Sequence, residues 1–219
     1  MTEKKTESLE FWKGGFGDDY IQRNPFSETK ISQIVDSFEN IMKPLPVKTV
    51  LEVGANVGNN LMAVSKLFKG RVKTFGLEPN KAAFETMKTR ARAMNLEQAF
   101  NTDASRIPMD NGSVDLAFTS GVLIHIPPKD LGLVIDEIYR VSRAYIFCSE
   151  YFSHEPEEKT YHGKNGLLFK RDFGAFYLDR FPSGLTCVDH GFFWQRQYPV
   201  WDNLNWWLFK KTKSHGNGK

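Results

Sequence analysis

Apolar and polar positions fall into blocks along the chain, and the blocks carry two different periods. Ile31, Ile34, Val35, Phe38, Ile41 and Met42 recur at three- and four-residue steps, which predicts an amphipathic helix over residues 28–43. Pro44 and Pro46 stop it, because proline lacks a backbone N–H and clashes with the preceding turn. The unbroken run Thr49-Val-Leu-Glu-Val53 predicts a buried strand, followed by a glycine-containing turn and a helix over residues 57–68. The rhythm then repeats: strand 72–78 closed by Pro79, helix 81–94, short strand 97–101, strand 114–119, helix 129–141 and strand 143–149. Strands alternating with helices at this spacing predict a parallel sheet covered on both faces. The last third reads differently. Residues 183–197 and 205–211 predict two long strands, and their connection is too short for a helical crossover, so they are expected to pair antiparallel. The expected fold is α/β: a mostly parallel sheet with a C-terminal antiparallel hairpin and helices on both faces.

Composition narrows the partners. With 29 Lys and Arg against 26 Asp and Glu in 219 residues, the net charge is +3, and the basic residues form no long block. That is too mild a charge to predict a nucleic-acid partner. Cys148 and Cys187 cannot build a disulfide framework or a four-cysteine metal site, and no metal is expected. Cys148 lies in an apolar run and is expected to pack as a small hydrophobe. The N-terminal residues are charged without an apolar stretch behind them, and no run approaches the roughly 18 apolar residues needed to span a bilayer. A cytoplasmic protein without a membrane partner is expected, as a monomer or homodimer. Residues 1–10 are expected to fray, and 214–219 to form a disordered tail.

Chemistry concentrates in Val50-Leu-Glu-Val-Gly54-Ala-Asn56-Val-Gly58, where a strand enters a tight turn and leaves as a helix. Gly54 permits the turn, and Gly58 is expected to leave the first helical N–H groups open to an anionic ligand group. A dinucleotide fingerprint would need glycines at 56 and 59, where the chain has Asn56 and Asn59, so a dehydrogenase reading is disfavoured. Glu78 ends the second strand 20 residues after Gly58 and is placed to accept both hydroxyls of a ribose. Asp103, after the third strand, is placed to accept from the exocyclic amine of a purine.

In this order the segments resemble the class I S-adenosylmethionine-dependent methyltransferases, with LEVGANVG as the first motif, GLEPN as the acidic second, TDAS as the third, and DLAFTSGVLIHIPP as the fourth-strand motif bordering the acceptor pocket. The resemblance covers about residues 46–150. It implies a Rossmann-like seven-stranded sheet, S-adenosyl-L-methionine as cofactor and S-adenosyl-L-homocysteine as product. Carried over by position, Glu52, Gly54, Asn56 and Gly58 would flank the methionine part, Glu78 with Pro79 would hold the ribose, Asp103 and Ala104 would read the adenine, and Ser120 would close the set. Asn56 replaces the family's usual middle glycine, a change the turn is expected to survive because Asn tolerates the left-handed conformation.

The opening FWKGGFGDDYIQRN is similar to that of methylases associated with pseudaminic acid biosynthesis, and GLLFKRDFG near residue 170 adds to that likeness. Residues 1–45 are therefore expected to form a lid segment and helix, residues 46–213 the methyltransferase core. Tyr20 and Arg23, three apart on one helical face, are expected to grip the cofactor's amino-acid end, and Trp12 and Phe16 to meet the acceptor. His125 is the candidate general base. Glu150, Tyr151, Tyr161, His162, Lys170 and Arg171, on a polar segment of about 20 residues, are expected to line the acceptor pocket as a functional loop. The expected acceptor is small, polar and anionic: an acidic sugar, nucleotide-sugar or phosphorylated metabolite of surface-glycan biosynthesis, methylated on oxygen. Two other readings stand beside it, a non-catalytic S-adenosylmethionine-binding regulatory module and an RNA methyltransferase.

Overall fold

The computed structural model describes residues 7–212. Two short helices, α1 (Glu7–Lys13) and α2 (Gly15–Arg23), precede the long helix α3 (Glu28–Met42). The alternating core follows: β1 (Thr49–Val53), α4 (Asn59–Leu67), β2 (Lys73–Leu77), α5 (Lys81–Thr89), the single turn α6 (Ala91–Met94), β3 (Leu96–Phe100), β4 (Val114–Ser120), α7 (Pro128–Val141) and β5 (Ser142–Glu150). A hairpin of β6 (Glu157–Tyr161) and β7 (Lys164–Lys170) comes next, then α8 (Phe173–Arg180), β8 (Leu185–Phe193) and β9 (Leu204–Lys211). The sheet has seven strands in the order β3-β2-β1-β4-β5-β9-β8. Its first five are parallel, and β9 runs antiparallel between β5 and β8, as expected for the C-terminal pair.

Local chemistry starts the helices where the chain leaves the sheet. Ser27 caps α3 by accepting from Lys30 N, Asn80 caps α5 by accepting from Ala83 N at 2.8 Å, and Asp172 caps α8 through Ala175 N at 2.8 Å. Ile31, Ile34, Phe38 and Met42 bury the inner stripe of α3 on one sheet face beside Leu61 and Val64 of α4. On the other face Ile135 and Ile138 of α7 and Tyr177 of α8 pack against the sheet together with Cys148.

Three expectations change. Residues 7–10 form the first turn of α1 instead of fraying, whereas residues 1–6 and the tail 214–219 lie outside the described residues. The segment expected to be a functional loop holds the β6–β7 hairpin, in which Leu167 and Leu168 of β7 are buried. The helix predicted over 81–94 is broken at Arg90 into α5 and α6, and Asn95 at φ +50 ends it in the left-handed region.

Candidate active site

Strand order reverses between β1 and β4, so the loops that follow these strands diverge and leave a crevice at their carboxyl ends. A cavity of about 660 Å³ fills it. Its floor is the turn after β1, where Gly54 and Ala55 donate to Leu77 O at 2.8 and 2.9 Å. Gly54 sits at φ +77, and a Cβ there would come within 2.5 Å of Val122 Cγ2. Asn56 adopts φ +48, the left-handed conformation expected of it. Gly58 departs from its expected role. It is outside the cavity lining, and a Cβ on it would meet Met94 Sδ at 2.5 Å, so it serves the packing of α4 on α5 and α6.

Glu78 is buried at the tip of β2, its carboxylate accepting from Asn56 N and Asn80 N, each at 2.7 Å. Burial pushes its pKa up to about 7 against those two bonds. Glu52 is 1% exposed; it accepts from Asn60 Nδ2 at 2.7 Å, and burial raises it well above the usual carboxylate range, with the Glu78 charge adding to the rise. Its Oε2, like Asn56 Oδ1 and Asn59 Oδ1, is buried without a partner. Three such acceptors around one turn are a cost unless a ligand with donors meets them. The ammonium and ribose hydroxyls of S-adenosylmethionine are donors of that kind, so the residues present fit the cofactor. Lys30 Nζ, in the lining and bonded to Asn24 Oδ1 at 2.7 Å, offers a cation for its carboxylate. Pro79, Asp103, Ala104 and Ser120 also line the cavity. Asp103 accepts from Ser105 N at 3.0 Å, and Ser120 Oγ accepts from Ser149 Oγ at 2.8 Å.

Helices α1 and α2 close the cavity. Asn80 Nδ2 donates to Trp12 O at 3.2 Å and to Asp18 Oδ1 at 2.9 Å, and Ser8 Oγ donates to His125 O at 2.6 Å. Gly17 permits this approach, since a Cβ on it would lie 1.9 Å from Trp12 O. Tyr20 lines the cavity as expected. Arg23 does not: it is exposed, with its guanidinium 4.9 Å from the Phe16 ring centre and 5.4 Å from that of Tyr20.

Beyond the turn, Trp12, His125, Tyr151 and Tyr161 form the acceptor side of the lining. His125 Nδ1 lies 2.7 Å from Leu167 O, a carbonyl that can only accept, so the ring proton is on Nδ1 and Nε2 keeps its lone pair. Burial lowers its pKa to about 4, and the Leu167 bond offsets only part of that. Tyr151 donates its hydroxyl to Asp202, which stands at the mouth.

Five residues expected on the acceptor wall lie elsewhere. Phe16 backs Trp12 and stacks on Phe11 at 4.2 Å. Glu150 is fully buried behind the site, where it accepts from Val122 N at 3.2 Å and Ile124 N at 3.4 Å and so braces the turn that carries His125. His162 is exposed in the hairpin turn. Lys170 Nζ sits 4.9 Å from the ring centre of Tyr151, and Arg171 lies 4.7 Å from that of Phe176. Conversely, Lys30, Asn59, Trp201 and Asp202 line the cavity without having been singled out for it. Trp201 is delivered by the long connection between β8 and β9, pinned by Trp201 Nε1 donating to Ser37 Oγ at 2.9 Å. Among the described residues no group of three or more His, Cys, Asp or Glu is placed to hold a metal ion.

The fold is that of solved S-adenosylmethionine-dependent methyltransferases, and the crevice lies where that fold places its site. Residues 50–144 match the family model described as a methyltransferase domain. The chain is 26% identical over 204 residues to the tRNA N(3)-methylcytidine methyltransferase of Drosophila melanogaster; the match takes in 86% of this chain and 55% of that protein, so the chain spans about half the length of this curated relative. Among solved structures, magnesium protoporphyrin IX methyltransferase from Synechocystis PCC 6803 with bound S-adenosylmethionine has a TM-score of 0.69 at 13% identity, covering 96% of this chain and 100% of that one. The 1,6-didemethyltoxoflavin-N1-methyltransferase of Burkholderia thailandensis has a TM-score of 0.69 at 14% identity, covering 97% and 94%. A methyltransferase of Leishmania major reaches 0.71 at 17% identity, covering 93% and 82%. These likenesses are of fold.

Proposed function

We propose that the protein transfers the methyl group of S-adenosylmethionine to a small acceptor held under the α1–α2 lid, in the cytoplasm. The observation that carries the reading is one continuous cavity running from the glycine turn and Glu78 to the aromatic side around His125. In this reading Glu78 accepts from the ribose hydroxyls, Asp103 and Ala104 meet the adenine, and Glu52, Asn56, Asn59 and Lys30 hold the amino-acid end. His125 Nε2 accepts the hydrogen on the acceptor atom. The sulfonium is already an activated electrophile, so the protein's contribution is chiefly alignment and exclusion of water. Residues up to 45 act as the lid, and the chain from residue 46 onward as the core. An acidic sugar, nucleotide-sugar or phosphorylated acceptor methylated on oxygen draws its support from the N-terminal sequence likeness, while Lys170 and Arg171, the cations expected to grip it, lie over Tyr151 and Phe176 and are themselves outside the lining. The test is release of S-adenosylhomocysteine by the full chain across acidic sugars, nucleotide-sugars, phosphorylated metabolites, alcohols and amines. Release with one acceptor class supports the reading; binding of cofactor without release across the panel would favour a regulatory module.

A second reading, RNA as acceptor, is supported by the likeness to the tRNA methyltransferase. It calls for methyl incorporation into tRNA and for binding that weakens steeply with salt.

A further inference from the structure

The acceptor chamber has an unbalanced wall. Trp12, Tyr20, Tyr151 and Tyr161 surround it, with Trp12 and Tyr20 edge to face at 5.3 Å and Trp12 and Tyr161 at 6.4 Å between ring centres. Burial raises the pKa of all three phenols, so the rings are neutral at ordinary pH. Asp202 stands at the mouth and takes the Tyr151 hydroxyl. The nearby cations lie outside the lining, Arg23 over Phe16 and Tyr20, Lys170 over Tyr151 and Arg171 over Phe176. Among the described residues Lys30 is the only Lys or Arg of the lining, against Glu52, Glu78, Asp103, Asp130 and Asp202, and it is bonded to Asn24 at the cofactor end.

An anionic acceptor entering this chamber would lose water and meet a carboxylate. An ammonium would gain the negative ring faces of Trp12 and Tyr161, which carry no cation, and an ion pair with Asp202. Taking the proposed methyl transfer as given, we propose that the acceptor is a small amine, its basic nitrogen held against the aromatic walls of the chamber and directed by Asp202. The bound ammonium first gives a proton to His125 Nε2, and the lone pair so freed forms the N–CH₃ bond as the methyl–sulfur bond breaks with its electron pair left on sulfur. His125 passes that proton on to water, while Asp202 stays ionised opposite the methylated ammonium. The methylated product is again a cation, so the same wall accommodates each successive N-methyl derivative.

Calorimetry on the full chain saturated with S-adenosylhomocysteine tests the wall directly, with choline and its uncharged isostere 3,3-dimethyl-1-butanol as probes and N-acetylneuraminate as the acidic sugar. Choline is expected to bind at least about tenfold tighter than the isostere, N-acetylneuraminate weaker than both, and Asp202→Asn to reduce the preference for choline severalfold. Asp202 is exposed at the mouth, so the substitution spares the core. Choline that fails to bind, an isostere or acidic sugar that binds as well, or an Asp202→Asn protein with unchanged preference would overturn the inference. Affinity for S-adenosylhomocysteine, measured in the same titrations, separates the two levels: cofactor binding without a choline preference defeats the amine alone, whereas no cofactor binding defeats the methyltransfer reading.

Discussion

In the proposed reading Glu78 carries the nucleoside end: it lines the cavity, and its two backbone partners leave each carboxylate oxygen a further lone pair to accept with. Glu78→Ala is expected to weaken S-adenosylhomocysteine binding by at least about tenfold in calorimetry. With its pKa near 7, the ionised form that accepts from two hydroxyls gains population between pH 6 and 8, so affinity should rise over that range. Glu78→Gln should flatten the rise; a pH dependence that survives the substitution would remove the assignment. For His125 the expectation is opposite in kind. A group lowered to about 4 is already neutral at pH 5, so kcat should show no His125 ionisation between pH 5 and 8, while His125→Asn lowers kcat/KM by about 10- to 100-fold. That Gly54, Asn56, Glu78 and Asp103 share one cavity is legible in the sequence, because strand-end chemistry is local. Gly58 was misread, since its requirement is set by Met87 and Met94, 29 and 36 residues away, and no spacing in the turn reports that. Arg23 was misread for a similar reason: side-chain direction on a short helix depends on what the helix rests against.

At the level of elements, α1 and α2 contribute Trp12, Gly17 and Tyr20 to the cavity lining. Gly17 allows α1 and α2 to close on Asn80, and Gly17→Ala would force a Cβ to within 1.9 Å of Trp12 O and 2.7 Å of Asn80 Nδ2. The substitution is expected to loosen S-adenosylhomocysteine by about tenfold with an unchanged far-UV spectrum, because the α3-to-β9 core does not depend on that contact. Unchanged affinity would mean the helices do not need to seat for the cofactor to bind. Helix α3, the alternating strands and the final antiparallel pair follow from hydrophobic period and connection length, and the structure has them within a few residues of the expected bounds. The β6–β7 hairpin is hard to read from sequence because β6 is mostly exposed and polar, so little alternation shows there. Its one local signal was His162-Gly163, both in the left-handed region as a two-residue hairpin turn requires. Trp201 and Asp202 had no such signal: a ten-residue connection between β8 and β9 places them, and Ser37 and Phe38 on α3 receive Trp201.

For the whole molecule, three buried carboxyls set the pH response of folding. Glu52, Glu78 and Glu150 are all raised by burial, the last two to about 7. The folded state then binds protons that the unfolded chain has released, so this stability is fully present below about pH 4.5 and is lost as pH rises through 7. Once ionised, Glu78 and Glu150 each cost up to about 3 kcal/mol. Glu137 is lowered by its Arg140 bonds, and Asp115 is lowered because the Arg143, Lys48 and Thr49 bonds outweigh its burial; their contributions are lost in acid. Ligand-free protein should therefore show its highest Tm near pH 5–6 and a lower one at pH 8, and a Tm that climbs steadily to pH 8 would contradict the burial of these acids. Saturating S-adenosylhomocysteine should narrow the difference at pH 8, since its donors favour the ionised Glu78. The most direct measurement is calorimetric titration of the full chain with S-adenosylhomocysteine at pH 8, beside Glu78→Ala and Arg23→Ala. The account predicts one site per chain, loss of at least about tenfold in affinity for Glu78→Ala and less than about twofold for Arg23→Ala. No heat of binding, or a Glu78→Ala protein that binds as tightly as the parent, would contradict it.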